Sequence, residues 1–90
     1  MTNIYLDYNA STPIDPRVVA VMEPLLRGPF ANPSAPHAGG REARAVIDRA
    51  RAQVTALLGC AADGVVFTSG GSEANNLALK GVFFALRERG

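Results

Sequence analysis

Ninety residues carry nine basic and eight acidic side chains, a net charge of +1, with 48% hydrophobic and 19% charged residues. Such a chain allows one small domain with a marginal core, about 63% of its surface being buried on folding, and excludes a disordered, highly charged tail. The balance does not favour nucleic acid as a partner, no apolar run approaches the ~20 residues that span a membrane, and a single cysteine, Cys60, excludes an internal disulfide framework or a cysteine zinc cluster.

The first residues lack the basic and apolar regions of a secretory signal, so the cytoplasm is the expected compartment. Residues 3–7 read as a short strand and residues 8–14 as a turn-rich stretch. Asp15 and Pro16 then open a helix, the first as an N-cap acceptor and the second in the favoured first helical position. Val18, Val19, Met22, Leu25 and Leu26 give it an apolar face; Pro24 is expected to kink or shorten it, and Gly28 with Pro29 to end it. Residues 29–40, rich in proline and glycine, form a loop held to specific turns.

The spacing predicts a second helix over 41–58. Ala43, Val46, Ile47, Ala50, Val54, Leu57 and Leu58 share one arc, while Arg41, Arg44, Asp48 and Arg51 fall outside it. Gly59 suits the position just past its end. Asp63 and Gly64 mark a turn, residues 65–68 a buried-type strand, and a third helix runs from Ser72 to about Arg87. In this last helix Leu77, Leu79, Val82, Phe83, Phe84 and Leu86 point almost all the way round. A helix apolar on every side is normally buried in something larger, and two strands do not make a stable sheet. The expectation is an α/β architecture that forms one part of a bigger fold, or half of an intimate oligomer.

Chemistry concentrates in Thr68-Ser69-Gly70-Gly71-Ser72-Glu73-Ala74-Asn75-Asn76, between the predicted strand and helix. Glycines let the backbone approach a ligand closely. The first N–H groups of a helix lack intrahelical partners and lie at the positive end of its dipole, which suits phosphate. Ser72 adds a hydroxyl, and each charge-assisted hydrogen bond to such an anion contributes about 1.5–3 kcal/mol. The competing reading is that Ser72 merely N-caps its own helix. The segment has neither the Gly-Lys-Ser/Thr ending of a Walker P-loop nor the G-x-G-x-x-G spacing of the dinucleotide fingerprint. Other residues read blandly. His37, the only histidine, is a loop or helix-start residue making a local hydrogen bond. Cys60 is a small packing residue, and the Asn9–Ser11 glycosylation pattern is a chance occurrence. Lys80 lies about 12 Å along the helix from its start and reads as a solvated lysine.

Three segments taken together resemble one family. They are Tyr5-Leu6-Asp7-Tyr8-Asn9-Ala10-Ser11-Thr12-Pro13, then Asn32-Pro33-Ser34 with His37 and Gly40, then Val66-Phe67-Thr68-Ser69-Gly70-Gly71-Ser72-Glu73-Ala74-Asn75-Asn76. In this order and spacing they look like the N-terminal region of class V aminotransferase-fold enzymes, specifically the cysteine desulfurases. The resemblance implies a pyridoxal 5′-phosphate (PLP) enzyme of fold type I that converts L-cysteine to L-alanine and passes the sulfur to a persulfide on an enzyme cysteine. By similarity, Gly71 and Ser72 would hold the cofactor phosphate and Ala10 would lie in the substrate pocket. The implied partners are L-cysteine, a second copy in a homodimer, and a sulfur acceptor or iron–sulfur scaffold protein.

Ala31 stands where the family often has glycine, Gly71-Ser72 where it often has a small residue and threonine, and Pro24 is unusual. Family members are several times longer. Their Schiff-base lysine, ring-stacking histidine, ring-nitrogen aspartate, substrate-clamping arginine and persulfide cysteine have no counterpart here. Residues 1–90 thus read as the N-terminal segment of an aminotransferase class V-like domain, with no complete second domain and no desulfurase activity alone. Alternatives are another enzyme on the same scaffold (an aminotransferase, a selenocysteine lyase or an epimerase) or a non-catalytic module that keeps a phosphate site.

Overall fold

A computed structural model describes residues 2–28 and 30–89. Three α-helices run in chain order: α1 (Pro16–Arg27), α2 (Ala38–Leu58) and α3 (Gly71–Leu86), with single 3-10 turns at Ala62–Gly64 and Arg87–Arg89. The chain divides into two units, Met1–Asp48 and Arg49–Gly90, with α2 beginning in the first and ending in the second.

In the first unit, α1 starts as its sequence dictates. The Asp15 carboxylate accepts from the Arg17 backbone N–H at 2.8 Å, and Pro16 takes the first helical position, where a missing N–H costs nothing. Arg17 also closes onto Asp15 through its side chain, which holds the Asp15 carboxyl below its ordinary value. The helix runs through Pro24 to Arg27. Proline deprives the Ala20 carbonyl of its donor, but Ala20 is exposed and water can replace it. Pro29, expected to help end α1, lies outside the described residues.

α2 begins at Ala38, three residues before the expected Arg41. The tight path of residues 32–37 makes this possible. The Ala35 N–H donates to the Asn32 carbonyl at 3.0 Å, and the Ser34 N–H donates to the Asn32 side chain at 2.9 Å. A Cβ on Gly40 would come within 2.1 Å of the Ala35 carbonyl oxygen, so only glycine fits there. In the second unit α2 ends on Gly59, whose φ of +68° is left-handed, and the Cys60 N–H donates back to the Thr55 carbonyl at 3.1 Å. This is the six-to-one bond of a Schellman end.

Of the expected α/β architecture the two strands are corrected: the described residues form helices and turns, with no strand among them. Residues 3–7 and 65–68 are not paired into a sheet. Val65 does adopt extended geometry, at φ −120° and ψ 125°, but a strand needs a neighbour for its ladder and none is provided among the described residues. No apolar residue among them is fully buried. The arc of α2 is half-buried from Ala43 to Val54 and exposed at Leu57 and Leu58. The α3 apolar residues are exposed all round, Leu79 at 74% and Phe83 at 63%, as a helix without its surroundings would be. Cys60, expected to pack, is also exposed. Among the described residues no helix is long and apolar enough to cross a membrane.

Candidate functional site

The start of α3 is built by its own sequence. Gly70 occupies the N-cap position in extended backbone geometry and contributes no side-chain cap. Its carbonyl accepts the first intrahelical bond, from the Ala74 N–H at 3.1 Å. Gly71, Ser72 and Glu73 are therefore the first three helical residues. Their N–H groups belong to the set that a helix leaves without partners, and among the described residues none of them meets an acceptor. The reading of Ser72 as an N-cap is thereby corrected: Ser72 is the second helical residue. Its hydroxyl makes no hydrogen bond among the described residues, although its carbonyl accepts from the Asn76 amide at 2.8 Å.

The turn before the helix is clasped from within. Glu73 reaches back so that one carboxylate oxygen accepts from the Ser69 backbone N–H at 2.9 Å and from the Ser69 hydroxyl at 2.5 Å. The Ser69 hydroxyl, and next its N–H, hold the Glu73 carboxyl below its ordinary value. The Thr68 hydroxyl donates to the Gly70 carbonyl at 3.1 Å. These bonds occupy the local side chains with one another and leave the donors of Gly71 and Ser72 available. Beyond its immediate chain neighbours and the helix's own backbone, a Cβ built on Gly70 or Gly71 meets nothing within 4 Å, so that face is open.

This donor set fits a phosphate: two adjacent N–H groups and a hydroxyl at the positive end of a 16-residue helix. Gly71 and Ser72 thus stand side by side. Ala10 belongs to the first unit, where its N–H donates to the Asp7 carbonyl at 3.1 Å in an exposed turn. Lys80 is exposed on α3. Among the described residues no group of three His, Cys, Asp or Glu stands together to hold a metal ion.

Sequence reading missed the Glu73 clasp. It is not a capping box, because the N-cap is Gly70 and Glu73 bonds Ser69, four residues back, so the usual capping-box signature does not announce it. Sequence reading also missed a link from α2. The Arg51 guanidinium lies 4.9 Å from the centre of the Phe67 ring and donates to the Val65 carbonyl. His37 does make the local bond expected of it: its Nδ1 accepts from the Gly40 N–H at 3.2 Å.

The class-V aminotransferase family model matches residues 4–90. A protein named cysteine desulfurase from Frankia sp. is 56% identical over 79 residues, which are 88% of this chain and 19% of that protein. The cysteine desulfurase IscS of Dictyoglomus turgidum is 47% identical over 97% of this chain and 22% of its own length. The putative cysteine desulfurase IscS 1 of Bacillus subtilis is 48% identical over 100% of this chain and 24% of its own. The chain therefore spans about a fifth of the length of these curated relatives. No solved structure matches it.

Proposed function

The chain belongs to the class-V aminotransferase family, and from that premise we propose that it is the amino-terminal part of a PLP-dependent cysteine desulfurase of fold type I. The observation that carries the reading is the open start of α3, where Gly71 and Ser72 keep their donors free beside a clasped turn. In this reading the Gly71 and Ser72 N–H groups and the Ser72 hydroxyl hold the cofactor phosphate. Ala10 is the small residue of the substrate pocket. Glu73 keeps its charge turned back onto Ser69 instead of leaving both carboxylate oxygens free to repel the anion.

Bound PLP supplies the electron sink for breaking the carbon–sulfur bond of L-cysteine. L-Alanine leaves, and the sulfur goes to a persulfide on an enzyme cysteine. Neither exposed Cys60 nor Lys80 is assigned to that chemistry. Lys80 sits eight residues after Ser72, about 12 Å further along the axis. The segment contributes part of the cofactor cradle, and alone it does not desulfurate cysteine. The partners in this reading are L-cysteine, a second copy in a homodimer, and a sulfur acceptor or iron–sulfur scaffold protein.

The test is Ser72→Ala in the full-length protein that carries these residues. PLP affinity should fall about tenfold to a hundredfold, the value of one hydrogen bond to a charged group. Because Gly70 and not Ser72 is the N-cap, melting of the cofactor-free protein should not change. Unchanged PLP affinity would overturn the reading.

A further inference from the structure

We infer that Arg51 is a positioning residue for the phosphate site, acting through Val65 and Phe67. The inference rests on the phosphate-holding role proposed for Gly71 and Ser72. Arg51 is half-buried on α2 and reaches a segment fourteen residues away in sequence. Its guanidinium covers the Phe67 ring at 4.9 Å and donates an N–H to the Val65 carbonyl. A cation over an aromatic face and a charge-assisted bond to a carbonyl act here through one rigid, planar group.

The placement of this link matters for α3. Residues 65–68 have extended backbone at Val65 but no strand partner among the described residues. Arg51 supplies a donor to Val65 without requiring a neighbouring strand. Thr68 follows Phe67 directly, and the turn it opens is fixed at its other end by Glu73 on Ser69. The path into Ser72 is thus pinned at both ends, by Arg51 upstream and by Glu73 downstream. Phosphate donors act only at hydrogen-bond distance, and an error of about 1 Å in such a group can cost a hundredfold in function. Lysine cannot replace the arginine. Its point charge has no plane to lay on the ring while a second N–H reaches the carbonyl.

The experiment compares Arg51→Met, Arg51→Lys, Arg44→Met and Ser72→Ala in the full-length protein. Arg44 serves as control because it is on the same helix, exposed, and, among the described residues, paired only with Asp48 at 3.3 Å. Each variant is read by PLP affinity, by the ³¹P shift of the bound phosphate, and by melting of the cofactor-free protein. Arg51→Met should weaken PLP about tenfold and move the ³¹P shift, Arg51→Lys should recover little of either, and Arg44→Met should match the wild type. Wild-type affinity and ³¹P shift in Arg51→Lys would overturn the inference even if Arg51→Met fails to fold. So would an affinity loss in Arg51→Met with an unmoved ³¹P shift and a matching fall in melting, which is what a merely structural role gives. An unaffected Ser72→Ala would remove the phosphate reading itself. Weakened Ser72→Ala beside unchanged Arg51 variants would remove only the role of Arg51.

Discussion

The starts of α2 and α3 face the same problem and solve it in opposite ways. Each helix begins with N–H groups that its own backbone cannot satisfy. At α2 the chain caps one of these groups itself: His37 Nδ1 takes the Gly40 N–H, and the Asn32 turn packs against Gly40. At α3 the N-cap is Gly70, with no side chain to offer, and the nearby polar groups bond to one another. A helix start that caps itself is a structural device. One that clasps its neighbouring turn yet leaves its donors free suits the phosphate proposed for it.

The largest expected effect separates two glycines that look alike in sequence. In Gly40→Ala the new Cβ would lie 2.1 Å from the Ala35 carbonyl oxygen and 2.8 Å from that of Asn32, both backbone atoms that cannot swing away. We expect a loss of about 3 kcal/mol in denaturant unfolding of the full-length protein. Gly71→Ala meets nothing within 4 Å beyond its chain neighbours and the helix's own backbone and keeps its N–H. It should be neutral or stabilise by up to about 1 kcal/mol, with PLP binding retained. Equal effects of the two would erase the distinction between a closed and an open start.

A smaller effect tests the closed start alone. His37→Ala should cost about 1 kcal/mol, the usual value of a lost cap, and His37→Asn should recover most of it, since an asparagine oxygen can accept from the same N–H. PLP affinity should not move in either variant. An asparagine no better than alanine would show that the 3.2 Å bond to Gly40 is not what holds α2.

These contrasts also mark what could be read from the sequence. Asp15 with Pro16, Gly59 after α2, and the glycine turn before α3 are local signals, and each lies where the residue types placed it. The first turn of α2 was missed because Ala38, Gly39 and Gly40 look like loop residues until the close approach of Ala35 explains the last of them. Residues 3–7 and 65–68 have strand-like composition, but a ladder depends on a partner that no local pattern supplies. At the candidate site, Gly71 and Ser72 were legible from the turn and helix start. Glu73 was not, because its partner Ser69 lies one residue outside the capping-box spacing, and Arg51, fourteen residues from Val65, leaves no local trace.

The smallest effect sharpens the open start, and it is a matter of pH. Glu73 is exposed, so its two bonds to Ser69 add little to global stability, but they fix which way the carboxylate faces. Those bonds hold its pKa below the ordinary glutamate value, the hydroxyl contributing more than the N–H. A depressed folded-state pKa means that the clasp is fully present above the ordinary glutamate pKa and is lost as pH falls through the lowered one. At neutral pH the turn is therefore closed and the carboxylate charged. On acidification the Ser69 N–H loses its charged acceptor and the hydroxyl loses its partner. An NMR titration should show the Ser69 amide and the Glu73 side chain moving together, with a midpoint below the ordinary glutamate range. In Glu73→Gln the Ser69 amide should show no transition at that midpoint. The Gly40 amide, bonded to His37, should not follow Glu73 in either protein. Titration of Glu73 at its ordinary value with an unmoved Ser69 amide would mean that the clasp does not form, and the start of α3 would then lack what distinguishes it from an unsatisfied helix end.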